Sequence, residues 1–370
     1  MSRAAVTLGY VPLADAALPI LALEMGFAAE EGIDLTLVRE PTWSNIRDKI
    51  AMGVYPAAHM LSPLAVALSA GVGPVAVPVV APMLLGTNGN TLTATPELAA
   101  SLDAPPGDAP AIGAALARVA AARGLRVGVP FPHSMHRELV RFLIERSGGD
   151  PARITFLTAP PRILPEVLAA QEVDAFMVGE PWAAIAADRG AGVQLLRGAD
   201  IWAAVPEKVL ALDARWAAAH GDLVAALVRA MYRAALWMGR EDRAGSVAGV
   251  LALPRYLGAP VLLIERALRE AVRMRAPGDL YPWQSAAGWI AERCAPGWGV
   301  GRVAAKAAAL ATFRPDLLHA AVAPLEANLP LSLAKTEGRL VVAGTVPGRR
   351  GAVETGPDRF FDGSTHAPDV

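Results

Sequence analysis

Short runs of apolar or β-branched residues alternate with segments of helical periodicity along the first 213 residues. The runs "AVTLGYV", "IDLTLV" and "AAHML" are separated by helical patterns at about residues 15–31 and 44–52. The same alternation returns after residue 124 in "LRVGVPF", "RITFLTA" and "VDAFMVG", again with helical patterns between them. Because alternating strands and helices are typical of α/β folds, the pattern predicts two α/β units.

The remaining segments differ from this pattern. Between the two units, the Pro-, Gly- and Asp-rich stretch "SLDAPPGDAP" predicts a surface loop. After "KVLALD" the pattern becomes mostly helical, as in "LVAALVRAMYRAALWM", with apolar residues three and four apart. Residues 344–370 have little periodicity and predict a mobile or draped tail, which Phe360 and Phe361 pin to the body.

Residues 50–96 contain no Asp, Glu, Lys or Arg, which raises the question of a membrane span. Prolines and glycines divide this stretch into short pieces, so we expect buried strands and helices there instead. At the N-terminus, Gly9 and Pro12 interrupt the apolar stretch that follows Arg3. We therefore expect a first β-strand in this segment and no signal peptide.

The composition limits the classes of partner. Apolar residues make up 54% of the 370 residues and charged residues 19%, which is typical of a folded protein with a large core. With 34 basic and 35 acidic residues the net charge is -1, so no nucleic-acid partner is expected. The single cysteine, Cys294, cannot form an intrachain disulfide, which is consistent with a reducing compartment.

The sequence contains no P-loop, no His-Glu-x-x-His motif and no Gly-x-Ser-x-Gly motif, so we expect no catalytic activity. His133 and His136 have a spacing that places two metal ligands on one helix face, but no third ligand lies near them in the sequence. We therefore predict neither a metal nor a cofactor.

Several residues are instead placed to bind an anion. His136 falls in the first turn of a predicted helix that follows a strand, where free N–H groups and the helix dipole favour anions. Gly179 ends another predicted strand. Near the same edge Asn88 and Asn90 offer amide donors, and Gly89 between them can take a positive φ angle. Lys208 is one of only four lysines. It adds either a positive charge at this edge or an ordinary surface side chain.

Trp43 precedes a predicted helix in "PTWSNIRDK". At that position its ring either packs in the core or stacks on a flat ligand. The spacing alone favours the core.

The segments "LGYVPLADAA", "WSNIRDKIAMG", "AAHMLSPL", "FPHSMH", "DAFMVGEPW" and "IWAAVPEKVLAL" occur in the order found in one family. In these segments the chain resembles the nitrate- and bicarbonate-binding branch of the ABC-transporter solute-binding proteins. In that branch a Trp, a Gln, a His, a backbone Gly and a Lys surround a planar anion. The resemblance implies that the matching residues here are Trp43, Asn88, His136, Gly179 and Lys208.

Two of these positions bear on the choice of anion. Asn88 stands where nitrate binders carry Gln, which leaves the preference between nitrate and nitrite open. Bicarbonate binders place an acidic residue and calcium near the lysine position, so Lys208 favours nitrate or nitrite. The resemblance further implies that Lys208→Glu disables anion binding and leaves the fold intact.

The family has a type II periplasmic-binding-protein-like fold, in which two α/β lobes flank a central cleft. For this chain we expect lobe one to comprise residues 1–95 and 207–343, including extra C-terminal helices, and lobe two residues 96–206. Residues 344–370 form the tail. In this arrangement the candidate residues face one another across a hinged cleft.

Because no signal peptide is expected, the chain most resembles the cytoplasmic nitrate/nitrite sensors of assimilation operons. In such sensors the anion causes release of an ANTAR-type RNA-binding transcription antiterminator. The main alternative is the substrate-binding subunit of a nitrate or bicarbonate ABC transporter. Two further readings are a sensor of another small anion or organic ligand and an enzyme of the pyrimidine-synthesis branch. The enzyme reading lacks a visible nucleophile and base.

Overall fold

The computed structural model describes residues 3–240 and 243–367. The chain starts in lobe one with alternating strands and helices. These elements are β1 (Ala4–Tyr10), α1 (Ala17–Glu24), α2 (Phe27–Glu30), β2 (Ile33–Arg39), α3 (Trp43–Ala51), β3 (Ala57–Leu61), α4 (Ser62–Ser69), β4 (Val79–Val80) and β5 (Leu84–Asn88). A single 3₁₀ turn, Ala14–Ala16, precedes α1.

The predicted helix at residues 15–31 is divided. Gly26 adopts a left-handed conformation with φ of +77°, which ends the first helical segment and starts α2. The apolar run "VAVPVVAPM" forms only the two-residue strand β4. Pro78 and Pro82 flank that strand and lack the N–H groups needed to extend its hydrogen bonding.

The chain then enters lobe two. Its elements are β6 (Asn90–Ala94), α5 (Pro96–Ser101), α6 (Ala109–Arg123), β7 (Leu125–Val129), α7 (Met135–Arg146), β8 (Ile154–Thr158), α8 (Leu164–Ala169), β9 (Ala175–Gly179), α9 (Trp182–Asp188), β10 (Val193–Arg197) and α10 (Gly198–Ile201). Short 3₁₀ turns precede β8 and α8.

The chain returns to lobe one through a long strand and continues mainly as helices. This last part contains β11 (Pro206–Asp213), α11 (Ala214–Ala219), α12 (Gly221–Met238), α13 (Ala244–Leu251), α14 (Val261–Glu270), β12 (Val272–Arg273), α15 (Gln284–Trp298), α16 (Arg302–Thr312), α17 (Pro315–Val322), β13 (Gly344–Gly348) and β14 (Gly351–Thr355). The helical C-terminal part matches the expectation from its periodicity.

Each lobe is built on its own mixed sheet. Within the described residues, the strand order in lobe one is β12-β5-β11-β3-β1-β2, with β4 also paired to β11. Strands β1, β2 and β3 are parallel, and β11 is antiparallel to β3 and β5. In lobe two the order is β10-β6-β9-β7-β8, where β7, β8 and β9 are parallel, β6 is antiparallel to β9, and β10 is antiparallel to β6.

The described chain passes between the two sheets at two places. The first crossing lies at Gly89, because Asn88 ends a strand of one sheet and Asn90 begins a strand of the other. The predicted boundary at residues 95 and 96 lies beyond β6, so it differs from the sheet assignment by one strand. The second crossing lies between Ile201 and Pro206.

The C-terminal segment is ordered where it is described. Strands β13 and β14 form a hairpin, and Phe360 after it is 2% exposed. The Phe360 ring lies 5.4 Å from the Phe142 ring and 4.9 Å from the Trp202 ring, centroid to centroid. The prediction that the phenylalanine pair attaches this segment to the body is therefore confirmed, whereas residues 368–370 of the predicted tail lie outside the described residues.

The uncharged stretch at residues 50–96 forms buried parts of both lobes. Strands β3, β5 and β6 are buried along their whole length. In the described part of the chain, no helix is long and apolar enough to cross a membrane.

Candidate functional site

Three of the predicted residues lie together between the lobes. Trp43 is the first residue of α3, which the Thr42 side chain caps by accepting a hydrogen bond from Asn45 N at 3.2 Å. His136 lies in the first turn of α7, and Lys208 lies near the start of β11. All three side chains are 0% exposed. Burial of the lysine is the unusual feature, because an ammonium group requires compensating charge when it leaves water.

That charge comes from two carboxylates. Lys208 Nζ lies 2.9 Å from Asp15 Oδ2 and 3.4 Å from Glu207 Oε1. Asp15 belongs to the 3₁₀ turn that follows β1, so the end of that strand delivers it to the cleft. Asp15 and Glu207 are 2% and 1% exposed, which makes the three groups a buried cluster of two potential negative charges and one positive charge.

Aromatic side chains surround the ammonium group. Lys208 Nζ lies 5.5 Å from the centroid of the Trp43 ring, within the range of a cation–π contact. The His59 ring lies 5.4 Å from the Trp43 ring, and its Nε2 lies 3.0 Å from Asp15 Oδ1. Packing in the core and a place at the candidate site are therefore compatible for Trp43, since its ring is buried and also borders the charged cluster.

Glu207 connects the two lobes. It lies on β11 of lobe one, and its Oε2 accepts a hydrogen bond of 2.7 Å from Asn90 Nδ2 on β6 of lobe two. Its Oε1 lies 3.3 Å from His136 Nδ1 on α7, also in lobe two. Closure of the cleft therefore places a carboxylate of one lobe against a histidine and an amide of the other.

Several buried nitrogen atoms in this region have no hydrogen-bond partner among the described residues. Trp43 Nε1 and the ring nitrogens of His136 are buried and make no hydrogen bond in that part of the chain. A buried N–H that lacks an acceptor costs free energy, so such groups are unusual in a folded protein. Together with Lys208 they supply donors from both lobes, which is the chemistry that a small anion requires.

The ionisation states follow from burial and neighbouring charges. Burial favours a raised pKa for Asp15, but Lys208 and His59 outweigh it and hold the pKa below its ordinary range. Burial opposes the charge on Lys208, but Asp15 and Glu207 raise its pKa. Asp15 and Lys208 are therefore charged at neutral pH.

The remaining groups in the cluster favour their neutral forms. Burial raises the pKa of Glu207 to about 7, despite the opposing effect of Lys208. Burial and then the charge on Lys208 lower the pKa of His136. Burial also lowers the pKa of His59, although Asp15 acts in the opposite direction. Near pH 7 the cluster therefore contains one fixed ion pair and one carboxyl that titrates.

The structure places Asn88 at the edge of this cluster, with its amide engaged elsewhere. Asn88 Nδ2 donates to Ala203 O at 2.9 Å, and Asn88 Oδ1 accepts from Val205 N at 3.1 Å. Its φ of +63° is a left-handed conformation. Asn88 therefore joins the two segments that cross between the lobes, and its predicted contact with an anion stays a prediction.

The two glycines lie where the lobes meet. A Cβ atom on Gly179 would lie 3.1 Å from Leu13 Cδ2 of the opposite lobe, so the close approach of the two lobes leaves little room there. Gly89 has a φ of +91°, and its carbonyl accepts a hydrogen bond of 2.8 Å from Glu180 N. Both residues fit a cleft in which main chain approaches main chain.

Sequence reasoning did not identify Asp15, His59 and Glu207 as members of the cluster. Each of them nevertheless has a signal in the sequence. His59 is an ionisable residue inside a stretch otherwise free of Asp, Glu, Lys and Arg, and Glu207 directly precedes the buried lysine. Asp15 follows a strand end, where polar residues of α/β proteins often reach a ligand site.

The metal reading of His133 and His136 has no support in the structure. The His133 ring packs edge-on against Phe131 and Trp298, whereas His136 faces Glu207. Among the residues that the structure describes, no group of three or more His, Cys, Asp or Glu side chains is placed to hold a metal ion.

Curated relatives match most of this chain. The bicarbonate transport ATP-binding protein CmpC of Synechocystis sp. is 32% identical over 266 residues, which cover 70% of this chain and 39% of that protein. The nitrate/nitrite binding protein NrtA of Synechococcus elongatus is 28% identical over 285 residues, or 74% of this chain and 62% of that protein. The match thus spans less than two thirds of each relative's length.

A solved structure gives the fold. The crystal structure of the periplasmic nitrate-binding protein NrtA from Synechocystis superposes with a TM-score of 0.83 at 23% identity, and the match covers 98% of this chain and 95% of that one. The predicted periplasmic-binding-protein-like fold is therefore confirmed. The model of the NMT1-like family matches residues 2–252, more than half of the sequence. The chain belongs to the NMT1-like family.

Proposed function

We propose that this chain is a solute-binding protein that holds nitrate or nitrite between its two lobes. The observation that carries the proposal is the buried ammonium of Lys208, beside Trp43 Nε1 in lobe one and His136 Nε2 in lobe two, two buried nitrogens that make no hydrogen bond to the described residues. An anion bound between these groups receives charge-assisted hydrogen bonds from both lobes, and its plane lies against an aromatic ring. This arrangement favours binding over catalysis.

The relatives support this class of ligand. Their printed names refer to nitrate, nitrite and bicarbonate, and several are components of import systems. Lys208 favours a nitrogen oxyanion over bicarbonate, because the resemblance associates bicarbonate binding with an acidic residue and calcium at this position. The same names favour a role as the substrate-binding subunit of a nitrate ABC transporter over a role as a sensor that releases an antiterminator.

The regulatory hypothesis stays a proposal with a separate test. In it the chain is cytoplasmic, and closure of the lobes on nitrate alters a surface that an ANTAR-type antiterminator recognises. If nitrate weakens the complex, the partner weakens nitrate binding by the same factor. Titration of nitrate and nitrite into the purified complex tests it. Dissociation at saturating anion is the expected result, and a complex that persists contradicts the release mechanism.

The binding proposal is tested by calorimetric titration of the purified chain with nitrate, nitrite and bicarbonate in parallel. We expect saturable binding of nitrate or nitrite that Lys208→Met abolishes. Lys335→Met is the matched control, because Lys335 is half-buried and is also paired with two carboxylates, Glu337 and Asp358. The absence of binding heat with all three anions would overturn the proposal.

A further inference from the structure

The buried cluster has no uncompensated positive charge to balance a bound anion. Asp15 and Lys208 form an ion pair at 2.9 Å, so the positive charge of the lysine is already compensated. If Glu207 is also ionised, the buried cluster carries a net charge of about −1 before any ligand arrives. A bound monovalent anion then brings the net charge to about −2 in a site from which water is largely excluded, which is strongly unfavourable.

Glu207 is the group placed to offset this added negative charge by taking up a proton. On its own strand, Lys208 Nζ lies 3.4 Å away. Lobe two contributes His136 Nδ1 at 3.3 Å from α7 and Asn90 Nδ2 at 2.7 Å from β6. The 3₁₀ turn after β1 contributes the negative charge of Asp15.

Behind Asp15, on β3, lies His59, whose Nε2 is 3.0 Å from the Asp15 carboxylate. His59 is the other nearby group that can accept a proton, but its hydrogen bond is to Asp15 and not to Glu207. The Glu207 side chain lies within 3.4 Å of both the lysine and groups of the opposite lobe.

We propose that binding of a monovalent anion beside Lys208 is coupled to uptake of one proton by the Glu207–His136 pair. The inference rests on the proposed function, since it concerns the same site. The proton neutralises Glu207 or charges His136, and either form removes one unit of negative charge from the cluster. Because the two side chains belong to different lobes and lie 3.3 Å apart, the proton is held where the lobes close.

The ionisation behaviour of the pair supports this assignment. Burial raises the pKa of Glu207 to about 7, so the ligand-free protein is a mixture of the two protonation states at neutral pH. An anion next to Glu207 raises that pKa further, because like charges disfavour ionisation. By linkage, nitrate therefore binds more tightly as the pH falls, until Glu207 is already protonated in the free protein.

The coupling is measured on the full chain by calorimetric titration with sodium nitrate at pH 5.5 to 8.5. Nitrate is the probe because it has no proton to exchange in this range. At each pH the titration is repeated in buffers with different ionisation enthalpies, and the slope of the heat against that enthalpy counts the protons taken up. We expect about one proton per nitrate near pH 8 and a value near zero at pH 5.5, with Kd rising about tenfold per pH unit above pH 7.

Two variants locate the proton. Glu207→Gln keeps an oxygen that can accept from Asn90 but cannot ionise, so nitrate binding should become independent of pH and should take up no proton. Glu337→Gln is the matched control: Glu337 is also buried and paired with a lysine, Lys335, at 3.2 Å. In that variant we expect the proton uptake and the pH dependence of the wild type.

The outcomes separate the two proposals. Absence of binding of both nitrate and nitrite at every pH overturns the proposed function. Nitrate binding without proton uptake at pH 8 overturns the coupling and leaves the proposed function standing. Undiminished uptake in Glu207→Gln overturns the assignment to the pair, because the proton is then taken up without the Glu207 carboxylate.

If Glu207→Gln does not fold, the infrared difference spectrum of the wild-type protein with and without nitrate replaces it. A change in the protonated-carboxyl or imidazolium bands is expected at pH 8. A spectrum with neither change contradicts the proposal.

Discussion

The ammonium nitrogen of Lys208 lies 2.9 Å from Oδ2 of Asp15, and both side chains are buried. The lysine that the family resemblance assigns to the anion is thus already paired within lobe one. The expectation that Lys208→Glu leaves the fold intact is therefore revised. A glutamate at this position would bring three carboxyl groups together in a buried site, and their repulsion would oppose folding.

Removal of the lysine charge without adding a negative one gives the first prediction. Lys208→Met leaves Asp15 buried without its partner, so the free energy of unfolding should fall by about 3–5 kcal/mol. Addition of Asp15→Asn should recover much of the lost free energy of unfolding, because it removes the unpaired charge. It should not recover nitrate binding. Urea denaturation and calorimetric titration of both variants test this.

The control for that prediction is Lys335→Met, where the lysine is 14% exposed and pairs with Glu337 and Asp358. This variant should also be destabilised, but it should bind nitrate with unchanged affinity. If the double variant Lys208→Met with Asp15→Asn binds nitrate as tightly as the wild type, Lys208 does not hold the anion.

The second prediction concerns the pH dependence of stability in the absence of ligand. Since burial raises the pKa of Glu207 to about 7 in the folded protein, the neutral carboxyl stabilises the fold below its ordinary pKa. That contribution is lost as the pH rises through about 7. Glu207→Gln stays neutral, so its stability relative to the wild type should increase from pH 5 to pH 8, by up to about 3 kcal/mol.

Urea denaturation of both proteins at pH 5, 6, 7 and 8 measures this difference. A stability difference that stays constant across the four pH values would show that Glu207 does not titrate in this range.

The sequence predicts those parts of the structure that depend on local patterns. Strand β3 was predicted at the same five residues that the structure assigns, because its apolar run is short and bounded. Trp43, His136 and Lys208 each lie near the start of a helix or strand that the α/β alternation predicts. That they line one cleft was implied by the family resemblance and not by the spacing, which favoured the core for Trp43.

Contacts between distant segments were not predictable in the same way. The pairing of Asp15 with Lys208 depends on how two strands of one sheet are aligned, and no local pattern encodes that alignment. The lobe boundary was placed one strand late for a similar reason. Strand β6 follows β5 after a single residue, and only the sheet in which each strand pairs shows that Gly89 separates the lobes.

The third prediction isolates one donor. Trp43→Phe removes the Nε1 hydrogen and keeps most of the ring, and that nitrogen is among the buried atoms without a hydrogen bond to any described residue. Stability of the free protein should therefore change little, while nitrate affinity should fall by about 10- to 100-fold, as expected for a hydrogen bond to a charged group.

Trp202→Phe is the control for this substitution. Trp202 is also buried, and its Nε1 is likewise without a hydrogen bond in the described part of the chain, but its ring packs against Trp289 and Phe360. Nitrate titration of the two variants should separate them. An equal loss of affinity in both would indicate a general effect of cleft packing and not a contact between Trp43 and the anion.

The last prediction decides between two roles for Asn88. Its amide donates to Ala203 O and accepts from Val205 N. Asn88, which directly precedes the first crossing, is therefore hydrogen-bonded to the segment of the second crossing. Asn88→Gly keeps the left-handed backbone accessible but leaves those two buried groups unpaired, and the free energy of unfolding should fall by about 2–4 kcal/mol. Asn88→Ala should cost about 1 kcal/mol more, because alanine disfavours the φ of +63°.

If the amide acts only through these contacts, the nitrate affinity of the folded Asn88→Gly variant should change less than its stability. Denaturation and titration of the same preparations measure both quantities. A variant with unchanged stability and abolished nitrate binding would instead support the direct contact that the family resemblance implies. In that case the hydrogen bonds of Asn88 to residues 203–205 must break when the anion enters.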